Sequence, residues 1–145
     1  MRHPARPRSA DVAVGYAADP RGRGIAFAAI ATGRGRTVAR VPFAFAPVPA
    51  LDGREAGYGA AAAVAAQLRS NGFTRVRLRV GDAELVEELA GSRVVPPPLA
   101  MPYVKTRCLL HGFSAARVER AEPVEIRELE ARARAEIGAR TPAAA

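Results

Sequence analysis

The stretch Phe73–Asp82, FTRVRLRVGD, sets Val76, Leu78 and Val80 at every second position and Arg75, Arg77 and Arg79 between them. Successive side chains of a strand point to opposite faces, so this stretch predicts a strand with one apolar face and one cationic face. It runs straight into AELVEELA and Gly91, which predicts a short helix over 83–90. A strand that hands over to a helix within two residues implies a layered α/β domain, its sheet covered by helices.

Turn chemistry organises the rest. Two apolar runs between Asp11 and Thr32 flank DPRGRG, a hairpin loop; GRGR at 33–36 is a second turn, and TVARVPFAF a third strand that Pro42 places at a sheet edge. REAGYGAAAAVAAQLRS, 54–70, predicts a helix ended by Asn71 and Gly72. A helix is also expected from Tyr103, with Val104, Cys108 and Leu109 turned inward, then a strand over 116–122 and a charged helix from Pro123 to about Gly138. The domain is expected over 10–138, with a basic tail over 1–9 and a frayed end over 139–145. Because a helix precedes it, the arginine strand is expected to lie parallel to the first or second strand.

A chain of 145 residues supports one hydrophobic core. Its apolar fraction of 49% comes largely from Ala and Val, with no Trp, so helices are expected to pack close to the sheet. Arginine dominates a net charge of +8, with a pI near 11.1, which favours a polyanionic partner, nucleic acid first, over an acidic or neutral one. A merely solvated basic surface is the competing reading. A single cysteine, Cys108, excludes an internal disulfide or a Cys-based zinc site and suits a reducing cytoplasm. Apolar runs of membrane-spanning length are absent, so neither a signal peptide nor a membrane span is expected.

The helix carries Ala56-Gly57-Tyr58-Gly59-Ala60-Ala61, the strand ends in Gly81-Asp82-Ala83-Glu84-Leu85-Val86, and CLLHGF and VER follow. In this order the motifs resemble the ribonuclease H-like superfamily, in the ribonuclease H and reverse-transcriptase-like group, over roughly residues 11–135. The resemblance implies a mixed five-stranded sheet flanked by helices: three antiparallel strands, then parallel ones. It also implies, in active members, four carboxylates that hold two magnesium or manganese ions about 4 Å apart and cut the RNA strand of RNA/DNA hybrids. Set on the family motifs, which read like Ala-Glu-Tyr-x-Ala-Leu and Gly-Asp-Ser-x-Leu-Val, the third acid is Asp82 and the helix acid falls on Gly57. The first acid falls on Gly15, and the last on Arg127 with Leu129 as its anchor.

Only one acid in four then survives, and Asp82 serves either as a remaining metal ligand or as the N-cap of the helix behind it. Asp11 or Asp19, Glu55 and Glu128 are the carboxylates near enough in sequence to rebuild a site. Asp11 lies about 13 Å along the strand from Gly15, and Glu55 is turned about 200° from Gly57 on a helix.

Three readings follow. The first is a degenerate nucleic-acid-binding domain without a cofactor, using Arg75, Arg77 and Arg79 on the strand and Arg21, Arg23, Arg34 and Arg36 in the turns. The second is an active divergent ribonuclease H using magnesium or manganese, and the third a scaffold for a protein partner or a second copy. His111 is read as a helix end or a mobile base, and Cys108 as a small core residue.

Overall fold

A computed structural model describes residues 7–51 and 53–140. Strands β1 (Ser9–Ala18), β2 (Arg23–Thr32) and β3 (Gly35–Ala44) form an antiparallel meander, and β4 (Arg75–Val80) and β5 (Ala115–Arg120) extend the sheet on the other side of β1. The order is β3-β2-β1-β4-β5, with β4 parallel to both β1 and β5. Pro42 therefore sits on an edge strand, as its missing N–H requires. The helices are α1 (Arg54–Ser70), α2 (Ala83–Leu89), α3 (Ala100–His111) and α4 (Pro123–Arg140).

Local chemistry sets the turns. In the β1–β2 loop the Asp19 carboxylate accepts the backbone N–H of Arg21 at 2.9 Å and of Arg23 at 3.1 Å. The side chain thus replaces the backbone partners that the turn removes. At the end of α1 the N–H of Phe73 bonds the Leu68 carbonyl at 3.1 Å and that of Gly72 bonds the Arg69 carbonyl at 3.0 Å. Gly72 there takes a φ of 86°, and Leu68 and Phe73 are both buried, so the helix is stopped by a left-handed residue and a hydrophobic clasp.

Two apolar layers sandwich the sheet. On one face Val12, Val14, Leu78 and Val80 meet the alanine-rich side of α1 and Leu85 and Leu89 of α2. Each fully buried Val or Leu contributes roughly 1.5–3 kcal/mol there. On the other face Ala13, Ile25, Phe27 and Ala29 meet Ile126, Leu129 and Ala133 of α4. Small strand residues let α4 approach closely, as the composition implied.

Several expectations need correction. Ser9 already belongs to β1, and the Arg8 guanidinium lies 4.6 Å from the Phe73 ring centre, so ordered chain begins before residue 10; residues 1–6 and 141–145 of the expected tails lie outside the described residues. α4 continues past Gly138 to Arg140. In α3, Val104 and Cys108 are exposed and Thr106 is buried, because the helix turns Tyr103, Leu109 and Leu110 to the core. Cys108 is therefore a surface thiol. Among the described residues no helix is long and apolar enough to cross a membrane.

Candidate functional site

Because β1 and β4 run parallel, with Val14 beside Val80, the residues after them reach the same end of the sheet. Gly15, Tyr16, Gly81 and Asp82 meet there beneath the start of α4, lining with Arg120 and Glu130 a cavity of about 330 Å³. A second, more open hollow of about 620 Å³, bounded by Leu51, Arg54 and Glu84, shares Tyr16, Gly81 and Asp82 with the first. Together they make a cleft across the carboxyl ends of the strands, where α/β sheets characteristically bind ligands.

Asp82 stands between them. Its Oδ1 accepts the Leu85 N–H at 3.1 Å, so it caps α2. Its Oδ2 faces Gly57 of α1: a Cβ at Gly57 would lie 3.3 Å from that oxygen and 2.9 Å from the Tyr16 hydroxyl. The helix position assigned to an acid by the resemblance is thus in the cleft, opposite Asp82, and carries no side chain.

The first-acid position behaves otherwise. Gly15 points to the opposite face, where a Cβ would lie 2.6 Å from the Glu130 nitrogen and 2.7 Å from Leu129 Cβ. The α4 backbone fills that space, so no carboxylate fits at Gly15. Tyr16, one residue on, presents its hydroxyl to the cleft instead. Burial, then the charges of Asp82, Glu130 and Glu55, push the Tyr16 phenol up to about 12, which keeps it neutral at physiological pH.

On α4, Arg127 and Glu128 are exposed and line neither hollow. Glu130 reaches the cleft, because Ile126 and Leu129 lock α4 onto the sheet and a rotation of about 100° carries the next residue to the end of β1. Glu55 is buried on another side of α1, its Oε1 accepting the Val48 N–H at 3.3 Å. Asp11 bonds Arg77 at 3.2 Å and Arg79 at 3.0 Å. The carboxylates expected to rebuild an acid cluster, Asp11, Glu55 and Glu128, therefore stay away from Asp82, and Asp19 is held by its turn. Among the described residues no three His, Cys, Asp or Glu side chains are placed to hold a metal ion. Asp82 and Glu130 alone do not fit a two-metal centre.

No family model matches the chain, and no curated protein matches it. Solved structures do. RNase H1 from the halophilic archaeon Halobacterium salinarum superposes with a TM-score of 0.73 at 19% identity, over 90% of this chain and 98% of that one. The N-terminal RNase H domain of a Mycobacterium tuberculosis protein gives 0.67 at 17% identity, over 88% and 97%. LC11-RNase H1, solved in complex with an RNA/DNA hybrid, gives 0.59 at 13% identity, over 87% and 91%. The chain has the ribonuclease H-like fold.

On this ribonuclease H-like frame the cleft is braced by a polar cluster that the sequence reading missed. Glu88, wholly buried on α2, accepts Arg54 at 2.6 Å and the Tyr58 hydroxyl at 2.9 Å, and Arg54 lies 2.9 Å from Glu84. Burial and then the hydrogen bond to Glu88 raise the Tyr58 phenol well above its ordinary value. The signal was present: Arg54 and Tyr58 are four residues apart on α1, and Glu84 and Glu88 four apart on α2, so each pair shares a face.

The arginines divide by end and by pairing. Arg77 donates to Glu119 at 2.6 Å and to Asp11, and Arg79 to Asp11 and Glu125. Hydrogen bonding to Arg77 holds the Glu119 carboxyl below the usual carboxylate range. The cationic face of β4, expected to await phosphate, is thus largely neutralised from within. Arg75 has no ion pair among the described residues, but it lies with the Arg34 and Arg36 turn at the far end of the sheet. Arg21 and Arg23, in and beside the β1–β2 loop, and Arg120 at the end of β5 are exposed at the cleft end, likewise without ion pairs among the described residues. His111 is exposed at the end of α3, away from Asp82.

Proposed function

We propose that this chain is a ribonuclease H-like nucleic-acid-binding domain with an incomplete metal site, which holds RNA, DNA or an RNA/DNA hybrid at the cleft end of its sheet. The observation that carries this reading is Gly57 opposite Asp82, where the two-metal chemistry would need a second carboxylate. A net charge of +8 and Arg21, Arg23 and Arg120 around the cleft, without ion pairs among the described residues, supply the attraction for phosphates, which releases counterions and needs no metal. That LC11-RNase H1 of the same fold was solved with a hybrid makes a hybrid the first probe to use.

The test is fluorescence anisotropy of a labelled hybrid over rising salt, with a cleavage assay in magnesium or manganese alongside. Affinity is expected to fall steeply with salt, and replacing Arg21, Arg23 and Arg120 by Ala is expected to weaken binding and flatten that slope by about 0.9 for each phosphate no longer neutralised. The labelled strand stays intact. Metal-dependent cutting abolished by Asp82→Asn would replace this reading with that of an active ribonuclease H. A flat salt profile would leave a protein-docking scaffold.

A further inference from the structure

β5 is an edge strand: β4 pairs with one side of it, and among the described residues no strand pairs with the other. The N–H of Ala115 bonds the Thr74 carbonyl at 3.4 Å and that of Ala121 the Val80 carbonyl at 2.8 Å. Alternate residues of a parallel ladder face the neighbouring strand, so Ala116, Val118 and Arg120 turn both N–H and C=O outward. Such an edge is a template for another strand. Charged side chains ordinarily discourage pairing there, but those of β5 run Arg117-Val118-Glu119, opposite signs set evenly about a valine. An antiparallel second β5 centred on Val118 therefore places each Arg117 directly across from a Glu119, in the closely spaced pairs where side chains approach most. In the same register the outward N–H and C=O groups join Val118 to Val118 and Ala116 to Arg120. The neighbouring registers that also pair those groups set Arg117 against Arg117 or Glu119 against Glu119, which repel.

We propose that β5 pairs with β5 of a second copy of this chain, antiparallel about Val118, so that two sheets become one. The charges needed are free to meet: Arg117 is exposed without an ion pair among the described residues, and Arg77 takes Oε2 of Glu119, leaving Oε1 as an acceptor. A hollow of about 580 Å³ between β5, Leu89 at the end of α2 and Leu110 of α3 gives room beside the edge for side chains of the added strand. The strip is short, so the dimer is weak, with dissociation in about the micromolar range or above. Antiparallel pairing carries the two clefts to opposite ends of the joined sheet, and the dimer needs no nucleic acid.

Sedimentation velocity of the full chain without nucleic acid, over a concentration series reaching about millimolar, tests it. The wild-type chain is expected to pass from monomer to dimer. Arg117→Glu and Glu119→Arg, which each set like charges across the joint, are expected to weaken the dimer about tenfold. An equimolar mixture of the two variants restores opposite charges and is expected to dimerise about as well as the wild type. Val118→Pro removes the outward N–H at the centre of the joint and no bond to β4, a change that an edge strand accommodates, and is expected to give a folded monomer. Circular dichroism establishes that each variant is folded. A wild-type chain that stays monomeric throughout, a dimer that Val118→Pro leaves unchanged, or a mixture no tighter than its separate components would each overturn the proposal.

Discussion

The sheet face turned towards α4 is closed in two different ways. Over β1 and β2 the closure is apolar: Ile126, Leu129 and Ala133 of α4 lie on Ala13, Phe27 and Ala29, and at Gly15 the helix backbone nearly touches the strand. Over β4 and β5 it is ionic: Arg77 and Arg79 reach Asp11 on one neighbouring strand, Glu119 on the other and Glu125 on α4. Asp11 lies directly opposite Arg77 in the β1–β4 register, so the ladder is a set of cross-strand charge pairs. A fully charged strand face therefore implies no external partner when the adjacent strands and helix carry the opposite charges. The chain's excess positive charge has to be sought in arginines that the ladder leaves out.

This contrast is open to direct attack by chemical denaturation. Leu129→Ala on the apolar half is expected to cost about 2–5 kcal/mol through reduced burial and a residual cavity. Gly15→Ala is expected to cost about 1–3 kcal/mol, because its methyl would overlap the α4 backbone and force the helix off the sheet. On the ionic half, Arg79→Ala is expected to cost about 1 kcal/mol or less, since its partners Asp11 and Glu125 stay partly in water. A loss with Arg79→Ala as large as that with Leu129→Ala would break the distinction.

The smallest effect is one of pH. The folded-state pKa of Glu119 is lowered, chiefly by the hydrogen bond from Arg77, so its stabilisation is present above the ordinary value of 4.5 and is lost as pH falls through the lower folded value. In acid titrations followed by circular dichroism, the wild-type chain should lose stability more steeply below that ordinary value than Glu119→Gln does. Parallel curves would show that the ladder contributes nothing.

Much of the fold was legible because it depends on short-range rules. The alternation from Arg75 to Val80 marked the strand, Pro42 marked an edge, and Asn71-Gly72 marked the end of α1 to the residue. The inward face of α3 was not legible, because its apolar residues Met101, Val104, Cys108, Leu109 and Leu110 spread around the helix; packing chose Tyr103, Leu109 and Leu110. The site was half legible. Asp82 and Gly57 follow from their motifs and Tyr16 from strand alternation one residue past Gly15, whereas Glu130 enters the cleft only because of how closely α4 settles on Gly15.

The elements, their order and an Asp before α2 able to cap it could be read from the chain alone, since each depends on residues a few positions apart. Which charges meet was settled by packing. Asp11 and Arg77 are far apart in the chain, as are Arg54 and Glu88, and nothing local specifies either pair. Coulomb energy falls with distance, so the fate of a charge is settled by the strand or helix that packing brings beside it. For that reason the arginines of β4, conspicuous in the sequence, are held by carboxylates, while the cleft owes its character to a glycine and a neutral tyrosine.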